Sequence, residues 1–236
     1  MTHSTVPLAS TPSTPGSRRA PLGRSSREDA QSPPPVATSV AKRIFDVTAS
    51  ALLIAALTPV WLVVPLLVHR QDGGPALFRQ TRIGLNGQEF RMWKFRTMRV
   101  NADAELERLL REQNRLDKPL FKVENDPRIT RLGRILRRTS IDELPQLFNV
   151  LQGTMSLVGP RPQIPREVAM YDAVAARRLR AKPGMTGLWQ VSGRSLLPWE
   201  EAIRLDLFYV DNWTLLLDLK ILCRTVKVVL AQEGSG

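Results

Sequence analysis

The sequence predicts an α+β fold, predominantly helical with a small β-hairpin, behind an apolar N-terminal segment of membrane character. Three observations predict it. Val47 to Val68 carries no charge. Asn86-Gly87, a strong hairpin turn signal, separates two stretches of strand-forming residues. Elsewhere apolar residues recur at helical spacing, most clearly at Leu144, Leu147, Phe148 and Leu151, which fall at i, i+3, i+4 and i+7. At 236 residues the chain holds one or two domains and is long enough for a sizeable core.

Charge narrows the partner class. The formal net charge is +12, of which residues 1–38 supply only +2, from four Arg against Glu28 and Asp29. The remaining excess lies in the folded part, so the partner is expected to be anionic: nucleic acid, a phosphorylated metabolite or lipid head groups. The lone Cys223 excludes an intrachain disulfide and a cysteine-built metal site, and fits a reducing compartment.

Residues 1–38 are a Ser/Thr/Pro/Arg tail, too poor in apolar side chains to offset chain entropy, and are expected to be disordered. Residues 39–70 follow as a membrane segment. Val47 to Val68 is just long enough to cross a bilayer as a helix. Thr58-Pro59 breaks it near the middle, Pro65 interrupts it again, and basic residues flank both ends (Lys42 and Arg43 before, His69 and Arg70 after). Composition leaves a spanning helix and one that enters, bends at Thr58-Pro59 and returns both open. Asp46, near the buried end, is expected to pair with Lys42 or Arg43, because a lone carboxylate there is costly.

A hairpin is expected from Ala76–Ile83 and Gln88–Phe95 around Gly84-Leu85-Asn86-Gly87. These glycines do not form a phosphate loop, since no helix N-terminus and no Walker lysine follow. Lys94 and Arg96 end the second strand. Asn101 caps a helix with Leu106, Leu109 and Leu110 on one side, stopping near Pro119. Asp126-Pro127-Arg128 is a turn into a basic helix, Arg131 to Arg138.

Thr139 to Pro162 is the segment around which the chain is organised. Asp142 and Glu143 open its helix. Ser140 with Glu143 fits a capping box, Asp142 could equally be the N-cap, and Pro145 favours the later start. Gly153 is the expected stop, and Gly159-Pro160-Arg161-Pro162 a rigid loop presenting one guanidinium. Capping alone explains most acids at such positions. Here, however, Arg128, Arg131, Arg134, Arg137 and Arg138 precede the pair and Arg161 follows it, a ring suited to binding phosphate and metal together. Pro165 opens a helix to about Arg180. Lys182 to Gly187 is a loop whose glycines allow close approach of backbone to a ligand, and Trp189, Gln190, Gly193 and Arg194 follow. Helices are expected from Pro198 to Val210 and from Thr214 to Leu230. The last sets Lys220, Arg224 and Lys227 against Leu215, Leu219, Leu222, Val226 and Val229, a pattern shared by membrane-surface helices and ordinary packed ones.

The stretches SIDELPQLFNVLQGTMSLVGPRP, LFRQTRIGLNGQEFRMWKFRTM and KPGMTGLWQVSGR together resemble the bacterial sugar transferases that act on polyprenyl phosphate, the monotopic phosphoglycosyl transferases. The likeness runs from Lys42 to Leu230. It implies a re-entrant membrane helix over residues 39–70, with Thr58 where serine is typical, and a catalytic domain over residues 71–236 at the cytoplasmic face of the cell membrane, with amphipathic helices on the membrane surface. It implies transfer of a sugar 1-phosphate from a UDP-sugar to polyprenyl phosphate, with Asp142 as nucleophile and UMP as leaving group. Mg2+ is the implied cofactor, with Asp142 as metal ligand, and Glu143 orients the acceptor or helps with metal. Arg161, with Lys94, Arg96, Arg128 and Arg137, is the expected phosphate-binding set, and Gln190 and Arg194 lie in the third motif. The family usually has asparagine where this chain has Ser192. Larger members carry several membrane helices and a further domain before this region, so the chain reads as a minimal form or a truncated copy.

The expected partners are a UDP-sugar, polyprenyl phosphate and membrane lipids, with a homodimer left open. The competing reading is a membrane-anchored basic adaptor for lipid or nucleic acid, without chemistry. It gives no reason for Asp142-Glu143 inside an arginine ring, and carboxylates hinder a nucleic-acid binder, so no nucleic acid is expected. A third reading keeps the enzyme but lets water be the acceptor, as in a metal-dependent phosphodiesterase.

Overall fold

The computed structural model describes residues 34–100, 102, 126–193 and 197–231. The helix expected after Asn101 and the site candidate Arg194 lie outside these residues, as does nearly all of the N-terminal tail. Helical structure begins earlier than the composition implied: Pro35–Thr38 forms one turn and buries Val36.

Two helices follow, α1 (Val40–Ala56) and α2 (Thr58–Asp72), joined at Leu57 with a bend of 66°. The bend falls at Thr58-Pro59, where the sequence placed it. Pro59 cannot donate to the Ala55 carbonyl one turn back, and the Thr58 hydroxyl does so instead at 2.7 Å. The Trp61 indole N–H reaches the Ile54 carbonyl at 3.0 Å. Side chains therefore satisfy carbonyls at the break. Pro65, expected to interrupt the segment again, does not: α2 runs through it. Among the described residues no single helix is long and apolar enough to cross a membrane, while the bent pair is so by length and composition.

The first of these helices is polar on its inner face. Lys42, Asp46 and Ser50, four residues apart, are buried, whereas Val40, Ile44, Leu52 and Leu53 are exposed. The expected pairing of Asp46 is not what forms. Lys42 Nζ bonds Asp218 at 2.7 Å and the Val158 carbonyl at 3.0 Å. Arg43 caps the Val150 and Leu151 carbonyls, at 2.6 and 2.7 Å. Asp46 instead accepts from the Leu157 N–H at 3.1 Å. A buried carboxylate takes whichever donor the packing provides, and here that donor comes from a distant strand.

The hairpin forms as expected, from β1 (Leu77–Ile83) and β2 (Glu89–Phe95), with Leu77 opposite Phe95 and Ile83 opposite Glu89. Asn86 and Gly87 both adopt positive φ, 55° and 78°, which is why that dipeptide turns the chain. Helix α3 (Arg131–Arg138) is capped by Thr130, whose side chain accepts from the Gly133 N–H. Helix α4 (Gln146–Gln152) ends at left-handed Gly153. It lies between α1 and β2 and is buried on more than the single face its apolar spacing implied, Leu147, Asn149 and Val150 being almost fully covered.

A second sheet was not expected. The short strands β3 (Ser156–Val158) and β4 (Gly184–Thr186) pair in parallel. Three residues are too few for alternation to be read. The glycines expected to approach a ligand instead approach protein. A Cβ on Gly184 would collide with the Gly159 backbone, and one on Gly159 with the Lys182 carbonyl and Gly184. The helix expected over Pro165–Arg180 is likewise broken, into a turn α5 (Pro165–Val168) and a 3₁₀ stretch (Ala175–Arg180) that Asp172 starts by accepting from the Ala175 N–H.

Helices α6 (Trp199–Asp211) and α7 (Leu215–Leu230) close the fold, the latter capped by Thr214. Ile221 and Asp218 of α7 are buried. Its other apolar stripe, Leu216, Leu219, Val226 and Leu230, is exposed alongside Lys220, Arg224 and Lys227. The main core joins Phe90, Met92, Leu147, Val150, Leu157, Tyr209 and Ile221; a smaller one packs Val64 and Val68 of α2 on Phe95 and Leu136.

Candidate active site

Asp142 and Glu143 do not cap a helix. They lie in a 3₁₀ turn, Ile141–Glu143, ahead of α4, whose N-cap position is Pro145. Ser140 enters that turn in the left-handed region, φ 56°, an uncommon conformation for a side chain with a Cβ. Neither capping arrangement weighed from the sequence is formed, and both carboxylates are left for other work.

Asp142 is buried, at 6% exposure, yet joins none of the ion pairs among the described residues. Desolvation pushes its carboxyl up to about 6, against the fields of Lys94 and Arg137 and with that of Glu143. Glu143 is paired with Lys94 at 2.7 Å and both are partly exposed. Lys94 reaches the pair because β2 is pinned to α4: Asn149 accepts from the Trp93 N–H and donates to the Arg91 carbonyl. Arg137 is set by its Nε–H bond to the Thr97 hydroxyl, 2.9 Å.

The remaining candidates divide. Arg96 forks onto Asp72 at 2.5 and 2.7 Å and also bonds the Pro75 carbonyl, fastening the end of α2 to the hairpin. Arg128 forks onto Asp126 at 2.5 and 2.8 Å and reaches the Ala102 carbonyl. Both guanidiniums are buried in these internal bonds. Arg161 stacks over the Trp189 ring at 5.4 Å and, among the described residues, has no ion pair. Its carbonyl is held by Arg178, itself paired with buried Asp206. Gln190 donates to the Met185 carbonyl at 3.3 Å, behind the loop that carries Arg161.

Arg82 belongs to this neighbourhood and was not singled out from the sequence. It donates to the Pro162 carbonyl at 3.0 Å and to Gln80 at 2.6 Å, while its Nε is buried and, among the described residues, without a partner. Desolvation, then the like charge of Arg161, brings its guanidinium down to about 10, and Glu167 and Glu143 act the other way. Its position within the strand of a quoted motif was the available signal. The Val158 carbonyl, at the root of the Arg161 loop, accepts from both Lys42 and Tyr209, and Tyr209 and Trp213 also donate to Asp218. This buried network ties the loop to α1 and α7.

Among the described residues no cluster of three metal-ligating side chains occurs. The donor set nevertheless fits Mg2+, which is commonly held by one or two carboxylates and completes its shell with substrate phosphates and water. Asp142, with Glu143 beside it on one turn, offers those oxygens.

The candidate site thus comprises adjacent carboxylates, Asp142 and Glu143, in the fields of Lys94 and Arg137, with the guanidiniums of Arg82 and Arg161 close enough to influence one another. The chain belongs to the bacterial sugar transferase family, whose model matches residues 37–232. It is 46% identical over 199 residues to the galactosyl transferase CpsE of Streptococcus agalactiae, covering 83% of this chain and 43% of that protein. It is 43% identical to the exopolysaccharide production protein ExoY of Sinorhizobium fredii, covering 83% and 88%. It is 42% identical to the UDP-glucose:undecaprenyl-phosphate glucose-1-phosphate transferase of Caulobacter vibrioides, covering 86% and 74%. The chain thus spans less than half the length of some relatives and most of others.

Proposed function

We propose that the chain transfers a sugar 1-phosphate from a UDP-sugar to polyprenyl phosphate, with Asp142 as the nucleophile. The observation that carries this is Asp142 itself, a buried carboxylate freed from capping and from ion pairing, beside cations that match a diphosphate. The relative named for glucose 1-phosphate transfer to undecaprenyl phosphate supports the donor and acceptor classes.

In the first half-reaction an Asp142 carboxylate oxygen attacks the sugar-bearing phosphorus. The bond from that phosphorus to the bridging oxygen breaks, and UMP leaves. In the second, a phosphate oxygen of the acceptor attacks the same phosphorus and returns Asp142 to its carboxylate, leaving polyprenyl diphosphate-sugar. Arg161 and Arg82 bind the diphosphate, Arg137 neutralises charge beside Asp142, and Lys94 holds Glu143 in place to orient the acceptor. Mg2+, held by Asp142 with help from Glu143, supplies neutralisation of phosphate charge when bound. Arg96 and Arg128 serve by fastening the elements around the site.

We place the bent pair α1–α2 in the cytoplasmic face of the cell membrane. Both helices turn apolar side chains outward, Ile44, Leu52 and Leu53 on α1 and Leu62, Val63, Leu66 and Leu67 on α2, and α1 turns its polar Lys42, Asp46 and Ser50 inward, the reverse of a soluble helix. The exposed stripe of α7, flanked by Lys220, Arg224 and Lys227, lies on the same membrane.

The test is a panel of UDP-sugars assayed with purified protein, Mg2+ and undecaprenyl phosphate. UMP release from at least one donor that needs the lipid is expected. Sustained release without lipid would make the protein a hydrolase, and no release with any donor would leave only the adaptor reading.

A further inference from the structure

A cavity of about 440 Å³ opens between α2, the start of β1 and the turn leading into α4. Trp61 and Pro65, Ala76, Trp93, Pro145 and Phe148 form most of its wall. Among the described residues no lining side chain is charged. Its volume falls in the range of small-molecule pockets, roughly 300–1,000 Å³. The mechanism above gives it no task.

Its position connects two surfaces of opposite character. On one side are Trp61 and Pro65, on the helix whose Leu62, Val63, Leu66 and Leu67 are exposed. On the other are Pro145, two residues after Glu143, and Trp93, next to the lysine that pairs with Glu143. Arg79 stacks over the Trp93 ring at 4.6 Å and adds a cation there. An occupant must therefore be apolar along its length and anionic at the end towards the acids. One cavity beside the acid pair suits a single-chain phosphate monoester; a diacyl lipid needs room for a second chain.

We propose that this cavity receives the first isoprene units of the acceptor and so delivers its phosphate to the Asp142–Glu143 turn. The inference rests on the reading above that the acceptor is a polyprenyl phosphate. It deepens that reading, because specificity for the lipid then resides in Trp61, Ala76, Trp93 and Phe148 rather than in the membrane alone.

The test uses the full chain in nanodiscs and a short polyprenyl phosphate bearing a diazirine in its first isoprene units. Crosslinks are expected on cavity residues, suppressed by undecaprenyl phosphate and not by dipalmitoyl phosphatidic acid. Crosslinks confined to the exposed faces of α2 or α7, or equal suppression by the phosphatidic acid, would overturn the assignment. A filling variant, Ala76→Phe, supplies an independent readout. The KM for the lipid acceptor should rise about tenfold or more, in line with the roughly 10–200-fold sensitivity of apolar pockets to a methylene, while KM for the UDP-sugar stays put. Unchanged lipid KM, or both constants moving together, would contradict it. Lipid-dependent UMP release by the wild type, measured in the same preparation, separates the two layers. With release present and labels elsewhere, only the cavity assignment falls; with release absent, the functional reading falls and the assignment with it.

Discussion

Asp142 carries a folding penalty that its chemistry explains. Burial holds its carboxyl near 6 in the folded protein against 3.8 as the ordinary value, so the protonated form suits the fold and the ionised form does not. The sign follows from linkage. The contribution of this group to stability is full below about pH 4 and is lost as the pH rises through about 6. Asp142→Asn, which cannot ionise, should therefore stabilise the magnesium-free protein at about pH 8 by up to about 3 kcal/mol, and match wild type near pH 4. Thermal melting in EDTA across that range reads it. A variant less stable than wild type at the higher pH would mean that an ion pair, rather than desolvation, governs Asp142. Arg82 makes a related point. Two guanidiniums brought together repel, and a diphosphate between them relieves that repulsion.

At the scale of elements, the strong local signals were readable. The basic helix starts at Arg131 as expected, Gly153 and Thr214 bound their helices where chain chemistry dictates, and Asn86-Gly87 turned the hairpin. What could not be read was decided by partners remote in sequence. Asp46 met Leu157, Lys42 met Asp218, and the β3–β4 pair joined strands too short to carry a pattern. The acid pair stood out in the sequence as a candidate site by its arginine surroundings, but its release from capping was not legible, because that depends on Ser140 and Pro145 shaping the turn together. Arg96 and Arg128 looked like phosphate ligands for want of knowledge that Asp72 and Asp126 face them. The bend at Thr58-Pro59 gives this scale its prediction. Replacing both residues, Thr58→Ala with Pro59→Leu, restores the missing N–H donor and removes the hydroxyl that compensates for it, so α1 and α2 should merge into one helix long enough to span. Impermeant thiol labelling at Ser26→Cys in a Cys223→Ser background should miss the otherwise native protein and reach the double variant in intact cells. Labelling of the native pair from outside would restore a plain transmembrane anchor.

For the molecule as a whole, the account is that a buried network joins three regions that must act together. Lys42 from α1 and Tyr209 from α6 both donate to the Val158 carbonyl, immediately before the loop that presents Arg161, and both also donate to Asp218 of α7. The bent pair α1–α2, helix α7 and the loop that carries Arg161 are thereby tied together, and the acid turn lies just ahead of α4. Such a scaffold suits a reaction whose donor is soluble and whose acceptor stays in the lipid. Its central claim is that Asp142 is transiently bonded to the sugar phosphate. The direct measurement is to incubate the protein with a labelled UDP-sugar and Mg2+ without lipid, quench, and map the adduct by mass spectrometry. Wild type should carry one sugar phosphate on Asp142, lost on adding polyprenyl phosphate, and Asp142→Asn should carry none. Turnover by wild type with no such adduct, or the same adduct on both proteins, would contradict the account.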